Sequence, residues 1–205
     1  MSQRPHPRVV AEIGCNHKGD MAIARDLIES AARFAKADFV KFQKRCNREL
    51  LTPEEYNAPH PNPANSYGET YGEHREFLEF DPDQHRQLMR WCAEFGIGYS
   101  TSVWDLTSAR EMAALGPAML KIPSACNLHF EMLEFLARDY DGEIHISLGM
   151  TTPEEQDEIV DVISSLVANE QTEEDGLAAL ECVKAALMSV LLTGEVRVPP
   201  DEAIP

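Results

Sequence analysis

No stretch of the 205-residue sequence approaches the roughly 20 consecutive apolar residues that a membrane-spanning helix needs. The opening MSQRPHPRVVAEIG has neither the long apolar core nor the small-residue cleavage site of a secretory signal. A cytoplasmic chain without membrane contact is therefore expected. Cysteine is sparse: Cys15, Cys46, Cys92, Cys126 and Cys182 form an odd set with no CxxC pair, which speaks against a structural zinc site. Reduced, mostly buried thiols are expected. Basic residues are also few, 18 against 35 acidic, for a formal charge of -17. That balance disfavours a nucleic-acid binder, which needs a basic footprint. Beyond Met150 only Lys184 and Arg197 are basic, against 13 acidic residues. The first 150 residues, with 16 basic and 22 acidic, are close to balanced and able to hold an anionic ligand.

What is present is a regular alternation. Arg8 to Gly14 (RVVAEIG), Asp38 to Gln43 (DFVKFQ), Ile97 to Ser102 (IGYSTS), Ala118 to Ile122 (AMLKI) and Glu143 to Leu148 (EIHISL) read as buried strands. Between them, helices are expected over Met21 to Lys36, Pro82 to Phe95, Leu106 to Leu115 and Asn127 to Arg138, with a last one from Pro153 to about Val167. Asp20, Asp81 and Thr152 stand where N-caps are needed, and Gly96 and Gly116 where helices end. Arg45 to Asp81, rich in Pro, Asn, Tyr and Gly, reads as one long loop of functional type. Such strict alternation predicts an α/β fold with a parallel sheet of the (β/α) TIM-barrel type or an open doubly wound sheet. Eight units need about 250 residues, and this chain has room for five units plus a C-terminal helix, so an incomplete barrel is expected. The expected division is a partial barrel domain over residues 1–168. Residues 169–205 follow as an acidic linker, an apolar helix over Leu177 to Leu192 and a frayed tail.

Each predicted strand carries polar groups at its carboxyl end, where ligands sit in parallel α/β folds. These are Glu12, followed by Asn16 and His17; Lys41 and Gln43; Thr101 and Ser102; Lys121, then Ser124; and His145 and Ser147. A lysine in an apolar strand is costly to bury without a partner, so Lys41 and Lys121 suggest an anion between them. The alternative is that each pairs with a structural carboxylate. Ser102, Ser124 and Ser147 add uncharged donors. Glu12 would balance a lysine or act in acid–base chemistry.

The segments AEIGCNHKGD (11–20), ADFVKFQKR (37–45), YGEHREFLEF (71–80), STSVWD (100–105), LKIPSACN (120–127) and ISLGMTT (146–152) resemble, in order, the sialic acid synthase family. The resemblance runs from about Val9 to Ile163 and implies a (β/α)8 barrel followed by a small antifreeze-like domain. It implies condensation of phosphoenolpyruvate with an N-acetylated amino sugar of the N-acetylmannosamine type, with release of phosphate and formation of a nonulosonic acid. Lys41, Lys121, Ser102, Ser124 and Ser147 are then candidates for phosphoenolpyruvate binding, with Gln43 on the same strand face as Lys41. Glu12 is the acid–base or water-orienting candidate. Asn16 and His17 share its segment and join the substrate-binding set, although His17 reads equally as a loop histidine bonded to backbone. Tyr71, His74 and Arg75 either cover the sugar or pack a loop.

The resemblance also implies a divalent metal, manganese or magnesium, held by two histidines on later strands, and no histidine follows His145 in this sequence. Ala125 and Cys126 stand where relatives carry an acidic residue that contacts the sugar, leaving the acceptor open. Two functions are carried forward as expectations: a phosphoenolpyruvate-condensing synthase that draws on C-terminal parts not recognisable in this sequence, and a non-catalytic truncated relative that binds or assembles. Exposed strand edges predict a homo-oligomer or a complementing chain.

Overall fold

The computed structural model describes residues 7–170. Five parallel strands lie in the order β1 (Val10–Gly14), β2 (Phe39–Lys44), β3 (Gly98–Val103), β4 (Met119–Ile122) and β5 (Glu143–Ile146). Consecutive strands are neighbours throughout, and β1 and β5 are unpaired on their far sides among the described residues. This is the β/α arrangement of a TIM barrel with the barrel not closed. The last part of the expected linker, the Leu177–Leu192 helix and the tail lie outside the described residues.

Parity along the strands decides which side chains meet. Register pairs Glu12 with Lys41 and Lys41 with Ser100; one step on, it pairs Gln43 with Ser102, Ser102 with Lys121 and Lys121 with His145. Residues paired in register, and those two apart along a strand, share a face, so these polar groups form a double row across the concave side. The intervening residues point the other way and are mostly apolar: Val40, Phe42, Tyr99, Leu120 and Ile122 are all buried, with Lys44 and Thr101 the buried polar residues on that side. They pack in two clusters. One joins β1 and β2 to helices α1 (Met21–Arg33) and α5 (Pro82–Phe95) through Ala24, Ile28, Leu88 and Cys92. The other joins β4 to α6 (Leu106–Leu115), α7 (Phe130–Asp139) and α8 (Pro153–Glu170) through Met112, Met132, Leu136 and Ile159.

All but one of the expected helices begin where the sequence predicts. Asp20 accepts from the Ala22 amide at 2.7 Å, and Asp81 from the Gln84 amide at 2.8 Å. Gly96, at φ +69°, ends α5 in the left-handed conformation. Three expectations need correction. α1 stops at Arg33, not Lys36, because Lys36 turns left-handed (φ 54°) and the Ala37 amide bonds back to Ala31. Phe34, just past the end of this helix, is accordingly 83% exposed. The supposed loop from Arg45 to Asp81 holds three short helices: α2 (Asn47–Leu50), α3 (Pro53–Asn57) and α4 (Tyr71–Phe77). Reciprocal capping boxes, Thr52 with Glu55 and Thr70 with Glu73, start α3 and α4. Finally, α7 begins at Phe130; Ser124–Cys126 is a 3-10 turn, and Asn127 is buried with its amide donating to the Ser147 carbonyl at 2.9 Å.

Candidate active site

The polar row is wired into a network. Lys41 Nζ is ion-paired with Glu12 Oε2. Gln43 Nε2 donates to Glu12 Oε1 at 3.2 Å, and Trp104 Nε1 donates to Gln43 Oε1 at 2.6 Å. Trp104 thereby fixes which end of the Gln43 amide faces the glutamate. The bulge between Glu12 and Gly14, with Gly14 at φ +56°, sits where β1 leaves the sheet. Glu12 remains half-exposed while Lys41 is largely covered. Burial, and then the charge of Lys121, pull the Lys41 amine down to about 8. The two lysines therefore face one another electrostatically from either side of β3, as the sequence suggests, and Lys41 also has the carboxylate partner that the alternative required.

Between them stand Ser100 and Ser102, both buried, with no hydrogen-bond partner for either Oγ among the described residues. Buried hydroxyls are ordinarily satisfied, so two open ones beside two ammonium groups mark a place for an acceptor-rich ligand. Ser124 and Ser147 lie just past β4 and β5. Gly149 lets Ser124 approach: a Cβ there would come within 2.9 Å of Ser124 Oγ. Thus Glu12, Lys41, Gln43, Ser102 and Lys121 share the concave face, with Ser124 and Ser147 at its rim.

Asn16 and His17 are not brought into this group. Asn16 Nδ2 donates to the Ile13 carbonyl at 2.9 Å, closing the turn after β1. His17 is buried, its ring stacked on Phe80 at 4.1 Å, and its Nδ1 accepts from the Gly19 amide at 3.1 Å. Burial pulls it down to about 4, so it is neutral at pH 7. It is a packing residue bonded to backbone, and its place in the substrate-binding set is corrected accordingly.

Sequence reasoning missed several residues. Ser100 was readable as the two-residue neighbour of Ser102. Trp104 and Arg45 were not, because their partners are distant in sequence. The Arg45 guanidinium lies 5.9 Å from the Trp104 ring, bonds Glu79 at 2.5 Å and donates to Cys15 Sγ at 2.8 Å. On β5, His145 Nε2 lies 2.6 Å from Glu143 Oε1, and Arg8 grips Glu143 at 2.7 and 2.5 Å. That grip, chiefly, pulls the Glu143 carboxyl down to about 2.

Over the strand ends opens a cleft of about 720 Å³, lined by Leu50, Leu51, Arg75, Trp104, Leu128 and Phe130 among others. Its size suits a small ligand. The metal that the resemblance implies was tested against the donors present. Among the described residues no three His, Cys, Asp or Glu side chains come together to hold an ion. Glu12 is committed to Lys41 and Gln43, and His145 to Glu143. The described residues do not fit the group.

Comparison with known proteins places this geometry in context. The sequence model of the NeuB family matches residues 27–186. The N-acetylneuraminate-9-phosphate synthase of Homo sapiens is 33% identical over 166 residues, covering 78% of this chain and 44% of that protein. The enzyme of the same name from Drosophila melanogaster is 34% identical over 182 residues, covering 86% and 45%. The N,N'-diacetyllegionaminic acid synthase of Campylobacter jejuni is 30% identical over 163 residues, covering 80% and 48%. The chain spans about half the length of these curated relatives. In fold, it is similar to the N-acetylneuraminic acid synthetase of Leptospira borgpetersenii solved with citrate, at TM-score 0.64 and 22% identity, covering 87% of this chain and 62% of that one.

Proposed function

The chain belongs to the NeuB family, and from that premise we propose that it binds phosphoenolpyruvate on the polar row and condenses it with an N-acetylated amino sugar. The single observation that carries this reading is the row itself: two lysines flanking two open, buried hydroxyls on one face of a parallel sheet. Phosphoenolpyruvate brings a phosphate and a carboxylate on a small frame, and charge-assisted donors of this kind suit both. Lys41 and Lys121 supply charge, and Ser100, Ser102, Ser124 and Ser147 supply neutral donors.

In the reaction, the methylene carbon attacks the open-chain aldehyde of the sugar and forms the new carbon–carbon bond. Water adds to the cationic carbon left behind, and the tetrahedral intermediate expels inorganic phosphate to leave the keto acid. Glu12, held by Gln43 and Lys41, is the group in reach of proton transfer at the water or the aldehyde oxygen. No step is routed through a metal.

The second reading, binding without turnover, is favoured by the missing three-donor cluster among the described residues. One experiment separates the two. Purified chain is mixed with phosphoenolpyruvate, manganese and amino-sugar acceptors; calorimetry follows binding and a colorimetric assay follows phosphate. Phosphate released in step with keto acid supports the synthase, binding without release supports the second reading, and no binding of phosphoenolpyruvate overturns both.

A further inference from the structure

Lys41 and Lys121 stand on β2 and β4 with β3 between them, so one small anion touches both only where the sheet curls toward it. Paired strands lie about 4.8 Å apart, and four such gaps would put β1 and β5 about 19 Å apart in a flat sheet. Among the described residues no strand joins the far sides of these two. An ion pair crosses the opening instead. Arg8 Nη1 and Nη2 donate to Glu143 Oε2 and Oε1 at 2.7 and 2.5 Å, a bidentate pair between the entry to β1 and the start of β5. The backbone does not carry Arg8 across. The Val9 amide donates to Asp38 Oδ2 at 2.7 Å, and the Val9 carbonyl accepts from the Asp38 and Phe39 amides at 2.8 and 3.1 Å, which keeps this stretch in line beside β2. The two side chains therefore span the gap, and a curled sheet is what brings them into reach.

A floor supports the crossing. The Phe39 ring lies over Gly98, where a Cβ would collide with it, and the Arg8 guanidinium stands 5.7 Å from that ring. At the far end Glu143 also meets His145 Nε2 at 2.6 Å, and His145 is the register neighbour of Lys121. We propose that Arg8 and Glu143 are positioning residues for the polar row: their ion pair clasps the first strand to the fifth and makes Lys41 and Lys121 converge on one ligand. This rests on the function proposed above and adds how the row is held in shape. The pair is about half-exposed at both ends, and such pairs add little to overall stability. Its effect is on geometry. In the curled sheet the charge of Lys121 already acts on Lys41, second to burial in drawing that amine down to about 8. Cutting the clasp lets the sheet flatten, parts the two ammonium groups and weakens that influence.

The test uses Arg8→Met and Glu143→Gln, which change the net charge in opposite directions. A field effect alone would move the Lys41 titration up in the first and down in the second. Parting of the lysines moves it up in both. NMR of 13Cε-labelled lysine follows Lys41 without any ligand, and calorimetry follows phosphoenolpyruvate. Each single variant is expected to bind phosphoenolpyruvate roughly three- to fivefold more weakly, the most that an exposed pair can transmit. Reversing the pair, Arg8→Glu together with Glu143→Arg, is expected to restore both readings. A Lys41 titration that moves in opposite directions in the two single variants, or in neither, overturns the proposal. So does an affinity that neither substitution changes. A single variant that unfolds outright overturns it as well, since the pair would then serve stability. Failure of the unaltered chain to bind phosphoenolpyruvate overturns the underlying function, and the Lys41 titration still decides the clasp.

Discussion

Replacing Lys121 with Met removes one of the two ammonium groups of the polar row while keeping a long, unbranched side chain. Two effects follow. A charge-assisted hydrogen bond contributes roughly 1.5–3 kcal/mol, so phosphoenolpyruvate affinity should fall by about 10- to 100-fold. The second effect falls on Lys41. Its amine sits at about 8, pulled down by burial first and by Lys121 second. With Lys121 gone the downward shift lessens, and the Lys41 titration should move to higher pH. Calorimetry measures the first effect. An NMR titration of 13Cε-labelled lysine, assigned with a Lys41→Met control, measures the second. The double variant should lose less than the summed losses of the two single ones, because both lysines act on one ligand. Unchanged affinity in Lys121→Met, or a Lys41 titration that does not move, refutes the claim that the two charges share a site.

Glu12→Gln should leave phosphoenolpyruvate binding equal or tighter, since an anion is removed beside an anion site, while phosphate release drops by roughly 10²-fold; equal loss of binding and release would show a structural role instead. His17 titrates near 4 in the fold against an ordinary 6.5, so the unfolded chain binds the extra proton, and stability should fall by about 3 kcal/mol as pH drops from 6.5 to 4. Urea midpoints across that range check it, and His17→Phe should flatten the slope. Leu120→Ala, at a fully buried position in the second cluster, should cost about 2–5 kcal/mol with little change in the polar row's ligand affinity once folded. The sides of β1 and β5 that are unpaired among the described residues predict self-association, to be seen by light scattering at micromolar concentration; a monodisperse monomer contradicts it.

Much of this was legible because local chemistry and fold agree. In VKFQ the alternation of Val40 and Phe42 with Lys41 and Gln43 already separates an apolar from a polar side, and the folded strand keeps that separation. Asp20, Asp81 and Gly96 announce helix ends in the residue types that satisfy them. The three helices between Arg45 and Asp81 were hidden because each is too short to show an apolar period. The Thr52–Glu55 and Thr70–Glu73 spacings were the available signal. His17 was not decidable from its segment, because the ring that buries it belongs to Phe80, 63 residues away, and only packing brings them together. The same holds for Trp104, whose partner Gln43 is 61 residues off. The pairing of Glu12 with Lys41, by contrast, was one of the two readings their strand positions allowed.

The comb-like sequence of β2 has a bearing on how the protein can change. Substitutions at Val40 or Phe42 strike the helix-facing packing and should be read as loss of soluble protein. Those at Lys41 or Gln43 should leave yield nearly untouched and be read as altered ligand choice. A saturation scan of the strand should thus show two phenotypes in strict turn, one residue apart. Such a strand can trade one small anion for another over evolutionary time without renegotiating its foldability at each step.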